Sequence, residues 1–316
     1  MSTTDPKTPR VTSVKTTRPS PGGGPLVKKQ RSSVRSVLLR GLSNGVVTVI
    51  TVLIGLLWSV PTFGLFISSL RPAGLIQSSG WWTAFMPPWH LTIENYQQVI
   101  QAQGLGQAFL NSLIIAIPGT LLPSLLAAFA AYAFAWMKFP GRDWLFFGIV
   151  ALLIIPIQIT LAPVLSLFTV IGITGSYLAV WLAHTAYGLP FAIYLLRNFF
   201  GSLPADLFES AHIDGASHLR FFFNIVLPLS VPSLASLFIF QFMWVWNDLL
   251  VALIFLGGRP ERAPLTLTIA NLVNSYGSNY QVLTSAAFIS MVLPLVIFFS
   301  LQRYFVRGIL AGSVKG

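Results

Sequence analysis

Residues 144–196 read WLFFGIVALLIIPIQITLAPVLSLFTVIGITGSYLAVWLAHTAYGLPFAIYLL, a run of 53 residues without Asp, Glu, Lys or Arg. A helix needs about 20 apolar residues to cross the hydrocarbon core of a bilayer, so this run is too long for one span and suits two. Residues 172–176 (GITGS) have the composition of a turn between them. We therefore predict membrane spans at residues 144–170 and 177–197.

Four other charge-free runs lie at residues 41–70, 95–137, 221–247 and 263–302. They predict spans at residues 43–67, 108–136, 227–256 and 283–305, the third of these extended past Asp248. The predicted fold class is an all-α integral membrane protein with six transmembrane helices. Prolines at positions 118, 123, 156, 163 and 190 predict interruptions and kinks in spans two to four.

The composition agrees with this class and excludes several others. The 316 residues are 54% hydrophobic and 9% charged, whereas a soluble domain carries about 25% charge. The mean hydropathy is +0.75. A soluble enzyme, a nucleic-acid-binding module and a disordered protein are all excluded on these grounds. The chain has no cysteine, which excludes a disulfide framework, thiol chemistry and cysteine metal sites.

The net charge of +11 is concentrated at one end of the chain. Residues 1–40 hold nine of the nineteen basic residues and a single acid, within a Thr-, Ser-, Pro- and Gly-rich segment that we predict to be a disordered cytoplasmic tail. Either the tail is only solvated, or it contacts anionic lipid headgroups. With the N-terminus inside, sixteen basic residues fall on the cytoplasmic side and three outside, which predicts that both termini are cytoplasmic.

One predicted cytoplasmic connection, residues 197–226, differs from the other short loops. It holds three of the eight acids, Asp206, Glu209 and Asp214. Pro204 suits a helix start, and Gly215 suits the left-handed residue that ends a helix. We predict a short helix at residues 205–213, a turn, and a second short helix. Residue patterning alone leaves two interpretations open, an interfacial hairpin on lipid and a docking element for a cytoplasmic partner.

The spacing Glu209-Ser210-Ala211-x3-Gly215-x9-Ile225-x-Leu227-Pro228 resembles the EAA loop of ABC importer permeases, with Ser210 in place of the second Ala. Other segments resemble the carbohydrate-uptake branch, the second permease of maltose- or trehalose-type systems. They are residues 88–96 (PWHLTIENY), 131–142 (AYAFAWMKFPGR), 195–200 (LLRNFF), 213–217 (IDGAS), 246–249 (WNDL) and 302–316 (QRYFVRGILAGSVKG). Trp136 stands where the family often has Arg. The resemblance covers residues 45–316.

The resemblance implies a type I ABC importer permease in the bacterial cytoplasmic (inner) membrane. It implies four kinds of partner: a second permease, two ATP-binding subunits, an extracytoplasmic sugar-binding protein and a sugar substrate. The implied ATPase-coupling residues are Glu209, Ser210, Ala211, Asp214, Gly215, Ala216 and Ser217. The chain has no phosphate-loop motif, so ATP and Mg are expected on the partner ATPases, with no cofactor, metal or catalytic residue on this chain.

These expectations divide the chain into four parts. Residues 1–40 form the tail, and residues 41–106 form the first transmembrane helix with an extracytoplasmic loop. Residues 107–306 form the permease core with its EAA coupling loop at 203–228, and residues 307–316 form a cytoplasmic C-terminal tail.

Polar and aromatic residues near the end of span five are the substrate-path candidates: Trp244, Trp246, Asn247 and Asp248. Sugars have polar edges and apolar faces, so Trp together with Asn and Asp suits them. The alternative is that Asn247 and Asp248 bridge to a neighbouring helix or act as a gate. For His184 in span four, a packing role competes with a proton relay.

Two other functions fit the sequence less well. An ion-coupled secondary transporter requires paired intramembrane carboxylates and usually a repeat, whereas only Asp248 lies well inside a span. An integral membrane enzyme requires a catalytic set, and the sequence has no HExxH, GxSxG or cysteine nucleophile. The sugar itself stays open between maltose or maltodextrin, trehalose and other glucosides. Glycerol-3-phosphate fits less well, because no basic residue lies within a span.

Overall fold

The computed structural model describes residues 34–102, 104–275 and 280–313. Most of the tail predicted at residues 1–40 lies outside them. Residues 34–40 are an exception, because they belong to the first helix and not to a disordered segment. The last helix continues to Ser313, into the predicted C-terminal tail.

The described residues are helical and contain no β-strand. In chain order the helices are α1 (Val34–Ser69), α2 (Ala73–Ser78), α3 (Glu94–Ala102), α4 (Leu105–Trp136), α5 (Arg142–Ala151), α6 (Ile157–Val170), α7 (Tyr177–Phe200), α8 (Ala205–Ile213), α9 (His218–Phe221), α10 (Leu227–Leu229), α11 (Val231–Trp246), α12 (Leu250–Phe255), α13 (Leu265–Ser275) and α14 (Tyr280–Ser313). The chain divides into two compact units, Met1–Trp58 and Ser59–Gly316, so the boundary falls within α1. The site described below lies entirely in the second unit.

Four of the described helices are long and apolar enough to cross a membrane without a break. They are α1 from Gly45 onward, α4, α7, and α14 as far as Tyr304. The predicted all-α membrane fold is therefore confirmed, and four of the six predicted spans correspond to continuous helices.

The third and fifth predicted spans are each broken; an interruption was expected at Pro156 in the third span but not in the fifth. The third bends by 104° between Ile154 and Ile157, and the fifth bends by 75° at Ser230. Pro156 and Pro232 stand at these points, and each lacks a backbone N–H and crowds the preceding turn. The other prolines that were expected to interrupt spans two to four lie inside the helices α4, α6 and α7.

Helix α4 lies at the centre of the packing and has its most extensive contacts with α7 and α11. Its buried face is rich in small residues, including Ala116, Ala127 and Ala131, all of which have no exposed surface. Small side chains let helix backbones approach closely, which is how helices associate when lipid removes the hydrophobic driving force. Two hydrophobic clusters result, one around Trp246 and one around Phe222.

Candidate functional site

The loop that carries the EAA-like motif begins at Pro204, which precedes helix α8. Glu209 and Asp214 are exposed, as is Asp206 in the first turn of the helix. Among the described residues, Arg142–Asp143 is the ion pair between charged side chains and His184 lies 3.7 Å from Asp248, so none of the three loop acids is neutralised within this part of the chain. The loop therefore presents three carboxylates that are free to meet a cationic partner.

Helix α8 ends in a turn that requires glycine. Gly215 has φ of +75°, the left-handed conformation that side chains with a Cβ rarely adopt. The Ala216 N–H donates to the Ala211 carbonyl at 2.9 Å, and the Gly215 N–H donates to the His212 carbonyl at 3.0 Å. This pair of bonds is the Schellman motif. Nothing lies within 4 Å of the place where a Cβ would be, so the constraint at Gly215 is conformational and not steric.

Helix α9 begins directly after this turn. The Ser217 hydroxyl accepts from the Arg220 N–H at 3.3 Å and caps the helix. The chain then continues through one π-helical turn, Phe222–Val226, into α10. Helices α9 to α11 follow one another with little intervening loop, so the EAA-like segment leads across the 75° bend at Ser230 into a membrane helix.

Ala211 is the motif residue that packs against the membrane bundle. It is 6% exposed and belongs to the hydrophobic cluster of Phe222, to which α4 and α7 also contribute. Ser210, the departure from the family motif, is exposed, and its hydroxyl donates to the Asp206 carbonyl at 2.7 Å. The substitution therefore leaves the packing of α8 on this chain untouched.

Two aromatic contacts hold the loop to the end of α4. Trp136 stacks on Phe208 with ring centroids 5.3 Å apart and an interplanar angle of 25°. The Tyr132 hydroxyl and His218 Nδ1 form a hydrogen bond at 2.9 Å. The residue that departs from the family pattern at position 136 thus anchors α8, a role that a stacked indole performs well because of its large apolar area.

The four substrate-path candidates at the end of α11 occupy different environments. Trp246 is 3% exposed, its Nε1 donates to the Ser290 carbonyl at 3.0 Å, and its ring packs edge-on against Phe109. Trp246 is therefore part of the bundle core in this conformation. Trp244 lines a cavity and contacts the imidazole of His184 edge to face at 5.3 Å.

Asn247 and Asp248 lie in the break between α11 and α12. The Asn247 amide donates to the Met243 carbonyl at 2.7 Å. The Asp248 carboxylate accepts from the Val251 and Ala252 N–H groups and so caps α12. His184 is fully buried, with Nε2 lying 3.7 Å from Asp248 Oδ2 and without a hydrogen bond on either ring nitrogen. The geometry at Asp248 is that of a helix cap.

Sequence patterning missed one polar centre, Asn111 on α4. Its Nδ2 donates to the carbonyls of Glu261 and Ala263, while its Oδ1 accepts from Gln107 Nε2 and the Tyr177 hydroxyl. These four bonds use the full capacity of the amide. A buried Asn within an apolar helix was the only signal for it. Through Asn111 the loop between α12 and α13 is fastened to α4 and α7.

No group of three or more His, Cys, Asp or Glu side chains able to hold a metal ion occurs among the described residues. The site offers exposed carboxylates at the loop, and aromatic and amide groups within the bundle.

The family model described as "Binding-protein-dependent transport system inner membrane component" matches residues 123–311, more than half of the chain. The chain belongs to this family. The match includes the whole EAA-like loop and the helices α5 to α13. The permease is thus a multi-pass inner-membrane transport component, as its motif indicated.

Relatives and a solved structure agree with this assignment. The permease is 58% identical to an osmoprotective-compounds uptake permease protein of Synechocystis sp., over 83% of this chain and 89% of that protein. It is 51% identical to an α-glucoside transport system permease protein of Rhizobium meliloti, over 79% and 67% of the two chains. A bacterial ABC transporter that imports the acidic polysaccharide alginate contains a chain with the same fold. The TM-score is 0.67 and the sequence identity is 20%, and the match covers 86% of the permease and 99% of that chain.

Proposed function

We propose that this permease is one of two different permease subunits of an ATP-driven importer that carries a sugar or glycoside. The observation that carries the proposal is the EAA-like loop, whose exposed carboxylates are set on a glycine-dependent turn and anchored to the membrane helix α4. A loop built in this way can bind a cytoplasmic subunit and pass its movement to the membrane helices.

The substrate class follows from the relatives. One carries α-glucosides and another carries osmoprotective compounds, by their names. The identity of 51–58% spans most of the chain, which supports a small neutral glycoside as the substrate here. An extracytoplasmic binding protein would deliver it, as the family description indicates.

ATP and Mg would be held by two partner ATPases, because the sequence of the permease carries no phosphate-loop motif. Glu209 is the residue proposed to meet a basic side chain in a groove on the ATPase, together with Ser210, Ala211 and the turn residues Asp214 to Ser217. Loss of one partner of a desolvated charge pair costs about 2–5 kcal/mol of interface energy. The loop would face the cytoplasm, in line with the distribution of basic residues.

Purification of the tagged permease from membranes, together with its co-expressed partners, tests the proposal. We expect an ATPase and a second EAA-bearing permease to co-purify in fixed proportion. Glu209→Lys should release the ATPase, whereas Glu94→Lys, a charge reversal of an exposed acid outside the loop, should retain it. A permease that purifies alone and carries solute without ATP would overturn the proposal.

A further inference from the structure

A cavity of about 280 Å³ lies between α6, α7 and α11, open on one side of the bundle. Aromatic rings form most of its wall: Tyr187 and Phe191 from α7, and Phe240 and Trp244 from α11. Gly188 from α7 and Gln241 from α11 also line the cavity wall. Only one of these residues, Trp244, was among the substrate-path candidates of the sequence.

The cavity lies at mid-depth in the bundle. Tyr187 and Gly188 stand near the middle of α7, a helix of 24 residues that spans the membrane. Ile157, at the edge of the cavity, is the first residue of α6 after the 104° bend. Trp244 stands one turn before the break between α11 and α12.

The cavity thus lies beside two helix breaks, the bend before α6 and the break between α11 and α12. Irregular backbone at membrane depth leaves polar groups without intrahelical partners, and it is tolerated only where protein covers it or where it lines a water-filled cavity. Discontinuous helices near the bilayer midplane are also where transporters place their substrates. A cavity beside two such breaks is suited to a water-filled path.

The cavity wall offers two hydrogen-bonding groups among its rings. The amide of Gln241 lies against Gly188, where a Cβ would come within 2.4 Å of Gln241 Nε2. That Nε2 donates to the Gly119 carbonyl at 3.3 Å, and no described residue donates to Oε1. The Tyr187 hydroxyl lies 3.1 Å from Thr160 Oγ1, whose single hydrogen is donated to the Ile157 carbonyl at 2.7 Å, so the Tyr187 hydroxyl donates to Thr160 and its oxygen remains able to accept a hydrogen bond.

We infer that this cavity binds one pyranose ring of the transported glycoside, with Tyr187 and Gln241 as specificity-determining residues; the inference rests on the proposed function. An aromatic face packs on the apolar face of the sugar. The amide oxygen of Gln241 accepts from one sugar hydroxyl, and the Tyr187 oxygen accepts from another. The cavity contains no charged side chain, which suits a neutral sugar and disfavours a phosphorylated one.

Accessibility in the complete importer tests where the cavity faces. The chain has no native cysteine, so a single thiol can be introduced without background. In the Phe240→Cys variant we expect the thiol to react with the water-soluble reagent MTSET at least tenfold faster than in Leu125→Cys, an exposed apolar position on α4 outside the cavity. Saturating maltose or trehalose should slow the reaction. Reaction only with a lipid-soluble maleimide, or with neither reagent, would mean that lipid or a neighbouring helix fills the cavity and would overturn the inference.

Selectivity tests the role of Tyr187 directly. Uptake by cells with the full importer is compared for two α-glucosides that differ in one hydroxyl, with the binding protein the same throughout. Tyr187→Phe should change the ratio of the two uptake rates by about two- to tenfold, the effect of one hydrogen bond. Tyr194→Phe, on the same helix outside the cavity, should leave the ratio unchanged. Equal ratios in both variants would overturn the inference.

The two hypotheses fail in different ways. If the unmodified importer carries no α-glucoside from a panel of maltose, trehalose and sucrose, and ATP does not drive uptake, the proposed function fails and this inference fails with it. If ATP-driven uptake is normal and only the thiol and selectivity results are negative, the inference fails and the proposed function stands.

Discussion

Replacement of Gly215 by Ala is expected to loosen the EAA-like loop without any steric clash. The residue adopts φ of +75°, and nothing lies within 4 Å of the position of the new Cβ. The cost is therefore the conformational strain of a left-handed residue with a side chain, about 1–2 kcal/mol. By the usual relation between free energy and population, this strain makes local opening of the turn roughly 5–30 times more frequent. Gly215→Asn should cost less, because Asn adopts this conformation more readily.

Amide hydrogen exchange of the purified importer measures this opening directly. The N–H groups of Gly215 and Ala216 donate to the carbonyls of His212 and Ala211, so they exchange only when the turn opens. We expect the protection of the Ala216 amide to fall about 5–30-fold in Gly215→Ala, and by a smaller factor in Gly215→Asn. The coupling between ATP hydrolysis and uptake should decline in the same order.

Gly148→Ala is the matched control. Gly148 lies within α5, nothing lies within 4 Å of the place where its Cβ would be, and its φ is not positive. This variant should leave the exchange of the loop amides unchanged. Unaltered protection at Ala216 in Gly215→Ala would refute the reasoning, since it would mean that the turn does not depend on the left-handed conformation.

Two further predictions concern the polar contacts of Asp248 and Asn111. Asp248→Asn should retain uptake, because Asn also caps helices. Asp248→Ala should lower the stability of the importer by about 1 kcal/mol, measured by thermal unfolding. Loss of uptake in Asp248→Asn would instead favour a coupling role for the carboxylate. Asn111→Leu should leave the carbonyls of Glu261 and Ala263 without their donor and lower stability by about 1–3 kcal/mol, which increased proteolysis of the loop between α12 and α13 would report. Asn111→Leu with unchanged proteolysis would show that the amide does not hold this loop.

Long helices were predictable from the sequence, because the absence of charge over 20 or more residues is a strong signal in a membrane protein. The bends were not. Pro118, Pro123 and Pro190 remain inside continuous helices, whereas Pro156 coincides with a bend of 104°. A proline removes only one hydrogen bond, and whether the helix then bends depends on neighbouring helices that the local sequence does not reveal.

The residues of the candidate site also fall into those that the sequence predicted and those that it did not. The loop was recognisable because its residues are close in sequence and their spacing carries the motif. Asn111 and Gln241 were missed because each acts through residues more than 100 positions away, the Ala263 and Gly119 carbonyls. Trp136 was noted only as a departure from the family, and its contact with Phe208 became apparent only when α4 and α8 were placed together.

The loop and the cavity are joined by a single element, which gives the proposed coupling a physical route. After the 75° bend at Ser230, α11 runs for 16 residues, about 24 Å, and carries Gln241 and Trp244 near its far end. The near end continues from α9 and α10 with no flexible linker. Ser230 is fully buried and its hydroxyl donates to the Val226 carbonyl at 2.6 Å, which satisfies this carbonyl at the bend. A displacement of the loop would therefore move α11 as a lever, and the cavity wall formed by Gln241 and Trp244 would move against Tyr187 on α7.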